Sequence, residues 1–263
     1  MKTRSCAVAG MFYPKDPSHL GQLLEGFFSR TAPPEGNSLG IVCPHAGYVY
    51  SGQVAAHAFS TIAPDFSGTF VVIGPSHHGY LTSVSAIPWE TPLGIVDTDT
   101  EFIGALDIGI DEASHVEEHS IEVQMPFIKY RFPRSRVVPV MMGEQDPAHA
   151  AAVAEKIVAA VRLTKRDVRI VASSDFSHYV PEAQAKDGDL YAIDALTTLD
   201  VKEFYRRIRE KRVTACGVGP ISAMVSSCLC TGARAGRLIR YGTSGDVSGD
   251  HNAVVGYAAI AVM

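Results

Sequence analysis

Three apolar, β-branched runs in this chain each stop at a polar turn that carries a histidine. They are IVCPHAGY at 41–48, FVVIGPSHHGY at 70–80 and RIVASSDFSHY at 169–179. Each reads as a short strand ending in a turn. In an open α/β sheet such turns meet at the carboxyl edge of the strands, where ligands bind. His45, His77 and His178 are therefore expected to face one pocket although they lie far apart in sequence. A pocket lined by imidazoles points to metal or acid–base chemistry.

The remaining pattern supports that architecture. Strands are predicted at 39–43, 70–73, 82–87, 136–141, 168–172, 238–243 and 253–263, with helical segments at about 51–62, 146–163, 181–211 and 217–232. Asp146 and Pro147 form an N-cap and first-turn signal. The segment 118–131 starts with helical spacing, and Pro126 must kink or divide it. The Pro/Gly-rich stretch 31–40 reads as a loop. Strands alternating with helices predict an α/β fold, a single domain over 1–263 with a largely parallel mixed sheet flanked by helices. The terminal strand pair adds antiparallel character.

Composition narrows the function classes. A net charge of -5 gives no electrostatic case for nucleic acid or an anionic membrane. The longest apolar stretch, 253–263, is too short to span a bilayer and reads as a buried strand. The basic N-terminus lacks the apolar core of a signal peptide. Five cysteines without a CxxC pair argue against a disulfide framework, so a cytoplasmic location with reduced thiols is expected.

Within the motifs, one residue of the His77–His78 pair should point inward and the other outward. Asp175 stands in the same turn as His178, where a carboxylate could orient the imidazole or, with Ser174, cap a following helix. His119 and Glu122 are three residues apart on one helical face beside Glu118, as residues around a metal site or as a solvated helix start. The turn SGDVSGDH at 244–251 holds Asp246 and Asp250. It reads as a hairpin loop, or as the source of the carboxylate in a two-histidine, one-carboxylate Fe(II) site. Cys216 precedes Gly217 at a helix start, where amide dipoles stabilise a thiolate, although a buried small thiol is the expected role.

The ordered phrases AGMFYP, PHAGYVYSG, GPSHH, EHSIEVQMPF, SSDFSHY, CGVGPI and YGTSGDVSGD resemble the Memo family, whose prokaryotic members are called AmmeMemoRadiSam system protein B. The resemblance runs from Ala9 to the C-terminus. It implies a fold like that of class III extradiol dioxygenases, in which two histidines and a carboxylate bind Fe(II) and a further histidine is the acid–base catalyst. It implies His45 and His77 as metal ligands and His178 with Asp175 as the catalytic pair. Tyr48, His78, His119 and Glu122 are read as residues around the pocket. Iron (Fe2+) is the implied cofactor, with zinc or copper as alternatives.

Animal members supply a cysteine from the C-terminal turn, and counting back from Tyr257 places Val247 there. Asp246, Asp250 or His178 is then expected to replace it. The resemblance implies a metal-dependent redox enzyme acting on a small molecule, with radical SAM and AMMECR-type partner proteins. Two other readings use the same pocket: a binding or adaptor protein, as for animal relatives regarded as binding phosphotyrosine peptides, and a zinc-dependent hydrolase.

Overall fold

A computed structural model describes residues 2–32 and 37–263. Residues 33–36, inside the expected loop at 31–40, lie outside the described residues. In chain order the first elements are α1 (Pro17–Phe28), β1 (Gly40–Cys43), α2 (Tyr48–Phe59), β2 (Thr69–Pro75), β3 (Ser83–Val84), β4 (Trp89–Thr91) and β5 (Gly94–Val96). Four short helices follow, α3 (Thr100–Ala105), α4 (Glu112–His115), α5 (His119–Glu122) and α6 (Met125–Arg131), before β6 (Arg136–Met142). Then come α7 (Pro147–Thr164), β7 (Val168–Ser173), β8 (His178–Val180), α8 (Glu182–Thr197), α9 (Val201–Lys211) and α10 (Val218–Cys230). The chain closes with β9 (Gly236–Thr243), α11 (Gly245–Ser248) and β10 (Val254–Val262).

The main sheet has the order β3-β6-β2-β7-β1-β10-β8, with β9 paired to β10. Its centre, β6-β2-β7-β1, is parallel, whereas β3, β8, β9 and β10 pair antiparallel. Every residue of β1 and β2 is buried, because helices cover both faces of the sheet. Alternate side chains divide between two cores: Val42, Val71 and Ile73 face α7 and α10, while Ile41, Cys43, Phe70 and Val72 face α1, α2 and α6. The fold is therefore the expected α/β class with a mixed sheet.

Local signals explain the helix boundaries. Asp146 caps α7 by accepting from Ala148 and His149 N–H, with Pro147 in the first turn. Pro126 divides the 118–131 segment into α5 and α6, sitting in the first turn of α6 where its missing N–H is harmless. The 82–87 strand shrinks to two residues, and the segment after Ser177 forms β8 and not a helix capped by Ser174 or Asp175. Among the described residues no helix is long and apolar enough to cross a membrane.

The topology positions the site. Strand β7 lies between β1 and β2, with Cys43 opposite Ser173 and Ile73 opposite Ala172. The turns leaving these three strands are thus neighbours at one edge, and they carry His45, Asp175 and His77.

Candidate metal centre

His45 follows β1 by two residues and is buried. Its Nδ1 lies 2.9 Å from Ser173 Oγ. That hydroxyl donates its proton to Ser120 O at 2.6 Å and accepts from Gln124 Nε2 at 2.9 Å. With its only hydrogen committed, Ser173 can only accept from the imidazole, so His45 carries its proton on Nδ1 and presents a lone pair at Nε2. Burial, reinforced by the neighbouring histidines, holds its pKa well below the ordinary value and keeps the ring neutral.

His77 follows β2 and obeys the same logic with a different partner. Its Nδ1 is 2.8 Å from Glu118 Oε1, and its backbone N–H donates to Glu118 Oε2 at 2.8 Å. Burial opposes ionisation of Glu118, but these bonds and the Ser120 N–H hold its carboxyl well below the usual range. The charged, acceptor-only carboxylate places the His77 proton on Nδ1 and leaves Nε2 free, the arrangement that orients and strengthens metal-binding histidines. Gly74 lets α5 come this close: a Cβ there would lie 2.4 Å from Ser120 Oγ.

The third group is Cys216. Its Sγ lies 3.2 Å from His45 Nε2 and accepts from Asp175 N–H at 3.2 Å. Gly217 permits this approach, since a Cβ would lie 2.5 Å from Ser173 O. Gln145 fixes the turn by donating to Cys216 O and accepting from Gly219 N–H. Burial pushes the thiol far up from its ordinary value, so the uncharged form belongs to the metal-free cluster. A bound metal ion would deprotonate it.

Among the described residues two groups converge closely enough to hold an ion: His45, His77 and Cys216, and His77, Glu118 and His119. Donor atoms in each group lie within 4.8 Å of one another. On a tetrahedral ion with N and S ligands, such atoms are about 3.3–3.6 Å apart, close to the observed Nε2–Sγ separation. The first group fits a metal better, because Glu118 already receives the His77 proton. Two fixed imidazole lone pairs and a thiol form a donor set with room for an additional ligand.

The histidine rings pack together around this point. His77 stacks on His119 with centroids 4.4 Å apart, and His45 meets both edge-on at 5.2 and 5.5 Å. Burial lowers the His119 pKa to about 4. Phe12 meets His119 edge-on at 4.9 Å. Phe12 also lines a cavity of about 610 Å3, together with Tyr13, Lys15, Leu23 and Tyr48.

Several expected site residues lie elsewhere. Asp246 and Asp250 do not complete the centre. Asp246 accepts from Thr243 N–H and Asp250 from Asn252, so both carboxylates serve their own turn. Val247 is exposed on α11, and the cysteine beside the histidines is Cys216. That thiol comes from the segment before α10, not from the C-terminal turn.

Asp175 does not hold the His178 ring. It accepts from His45 N–H at 2.8 Å, and burial pushes its carboxyl up. The His178 Nδ1 instead faces Thr214 O at 2.9 Å, which leaves Nε2 as its lone pair. Glu122 turns away from its neighbour His119 to bind Arg4, the N–H groups of Ala7 and Val8, and Tyr13 OH. Tyr48 OH donates to Val123 O, and exposed His78 lies near Tyr80. Sequence reasoning thus met Cys216 but gave it a packing role, and it had no signal for Ser173 or Thr214.

An α/β sheet that gathers two histidines and a cysteine at its carboxyl edge defines the class: a protein with a candidate metal centre. The Memo-like protein family matches residues 4–261, and the chain belongs to that family. It is 45% identical to a MEMO1 family protein of Methanosarcina barkeri, covering 98% of this chain and 99% of the relative. It is 44% identical to one of Archaeoglobus fulgidus (96% and 97%) and 37% identical to one of Methanocaldococcus jannaschii (99% and 99%).

Proposed function

We propose that this protein holds a transition-metal ion, iron(II) first, through His45 Nε2, His77 Nε2 and Cys216 Sγ and uses it in a redox reaction on a small molecule. The observation behind this reading is that two separate hydrogen-bond systems aim imidazole lone pairs toward one thiol. When bound, the metal would supply Lewis acidity and one-electron chemistry at open coordination positions. His178, with its proton fixed on Nδ1, offers Nε2 to accept a proton from a substrate at the rim. His119 and Phe12 stand beside the imidazoles as one wall of the site.

The thiol also favours a second reading, because Cys and His together suit zinc and hence hydrolysis. Radical chemistry, if the protein works with a radical SAM partner, would lie in that partner: among the described residues no cysteine-rich cluster is formed.

The test is anaerobic purification with elemental analysis of the wild type and of His45→Ala, His77→Ala and Cys216→Ser. Near-stoichiometric iron that is lost in each variant is expected. Zinc under every condition moves the assignment to hydrolysis. Failure to retain any metal after reconstitution, or retention in all three variants, overturns the centre.

A further inference from the structure

The most uneven charge in this chain lies at the edge of the sheet opposite the histidines. Lys129, Arg131, Arg134 and Arg136 stand within eight residues, and no acidic residue occurs from 123 to 143, in a chain of net charge -5. Arg136 opens β6 opposite Thr69, the first residue of β2, whereas His77 follows the last residue of that strand. Seven extended residues separate the two edges by roughly 20 Å.

The fold gathers three of these cations. Lys129 is in the last turn of α6, Arg134 in the segment after it, and Arg136 at the start of β6. All three line one cavity of about 320 Å3, with Ile95, Ile128 and Phe132 as its apolar wall. That volume is at the small end of ligand pockets. The fourth cation, Arg131, lays its guanidinium over the Phe28 ring at 5.3 Å.

The backbone holds this arrangement. Gly94, at φ 115° in the β4–β5 hairpin, leaves the space that the Lys129 stem occupies, since a Cβ there would lie 3.3 Å from Lys129 Cε. Ser135 N–H donates to Phe132 O and closes the turn that carries Arg134, and Arg136 N–H donates to Gly68 O at 3.1 Å. A helix dipole favours a cation in the last turn, which accounts for Lys129 but not for the two arginines beyond the helix.

The three charges are also uncompensated. On α9, Arg206, Arg207 and Lys211 are matched by Glu203, Glu210, Asp194 and Asp187. Among the described residues Lys129, Arg134 and Arg136 form no ion pair, and neither does Asp97, the one acid that lines the cavity. Three like charges around one cavity repel one another, and an anion seated among them relieves that repulsion.

We propose that this cavity binds a small, multiply charged oxyanion, a polyphosphate or a polycarboxylate, through Lys129, Arg134 and Arg136. Guanidinium forks grip two oxygens at once and the ammonium adds a point charge, so both oxyanion classes fit. A monovalent anion would neutralise only one of the three cations. The site is separate from the metal centre and does not depend on it.

The test is calorimetric titration of the full chain at low salt with inorganic pyrophosphate and, separately, with citrate. At least one should bind with a Kd of about 1 mM or tighter, and the one that binds names the source of the oxyanion. Arg134→Gln and Arg136→Gln should each weaken that binding roughly tenfold. Asp97→Asn should tighten it, because a repelling carboxylate is removed. Arg209→Gln, at an exposed position on α9 outside the cavity, should leave it unchanged. Both probes also chelate metals, so the titrations are repeated on metal-free protein, where the affinity should be the same. Failure of both probes to bind, an Arg209→Gln effect as large as that of Arg134→Gln, weaker binding in Asp97→Asn, or loss of binding on metal removal each overturns the proposal.

Discussion

Two regions of this molecule are rich in carboxylates and histidine, and they have opposite fates. Residues 118–122 place Glu118, His119 and Glu122 against the sheet, with both glutamates buried. Residues 244–251 place Asp246, Asp250 and His251 on an exposed turn. In the first region each carboxylate has a distant partner: Glu118 orients His77, and Glu122 ties the N-terminal segment to the fold through Arg4. In the second, the aspartates bond to backbone within three residues, and His251 faces Glu182. Residue type is shared; convergence and desolvation are not. A site forms where buried groups lack water and must be satisfied by one another.

The sharpest way to break this contrast is to set the proposed ligands against the aspartates of the exposed turn. His45→Ala, His77→Ala and Cys216→Ser should each weaken metal binding by at least about 100-fold, more than loss of a supporting hydrogen bond usually does. Asp246→Asn and Asp250→Asn should leave it unchanged. Calorimetric titration of metal into the metal-free protein measures both, and loss of binding in the aspartate variants would return the third ligand to the turn.

The next effect separates the two buried glutamates. Arg4 and Glu122 have side chains only 3% and 0% exposed. Glu122→Gln leaves an uncompensated buried cation and should destabilise the fold by about 3–5 kcal/mol in denaturant unfolding. Glu118→Gln should instead weaken metal binding by about 10–100-fold through its effect on His77. Equal effects of the two substitutions on metal affinity would show that both act on the centre.

A pH effect of comparable size arises beside the Arg4 clamp. Burial lowers the His115 pKa to about 4, and its Nδ1 has no hydrogen-bond partner. Its ordinary value of 6.5 applies in the unfolded chain, which therefore binds the proton first as pH falls. The stabilising contribution is present above pH 6.5 and is lost progressively toward pH 4, by up to about 3 kcal/mol. Unfolding midpoints across that range should show this slope, to which the similarly lowered His45 and His119 add, and His115→Gln should lessen it by the His115 share. The smallest effect belongs to the exposed turn, where Asp250→Ala should change stability by no more than about 0.5 kcal/mol.

Much of the frame was legible because it depends on local chemistry. The Asp146–Pro147 signal located the start of α7, and Pro126 marked the division of α5 from α6. The same signal at Asp16–Pro17 starts α1, a helix the sequence reading passed over. His45 and His77 were visible because each directly follows a strand in the parallel centre of the sheet. Cys216 was not, because it meets His45 across 171 residues from a segment that follows no strand. Its position depends on a close approach at Gly217, which residue counting cannot detect. The Asp175–His178 pairing failed for a similar reason: Thr214, distant in sequence, supplies the carbonyl that a local reading assigned to the nearby carboxylate.

The wide separation of the donors along the chain has a consequence for quality control. An unfolded or half-made chain brings no two of them together, so the ion cannot act as an early folding nucleus. On the proposed reading it would be captured only when β1, β2 and the segment before α10 have docked. A metal held there would stabilise the finished structure by mass action, about 2.7 kcal/mol when free metal is 100 times its Kd. In a cell short of metal, loss of the ion would withdraw that stabilisation, making the lifetime of the protein a gauge of metal supply.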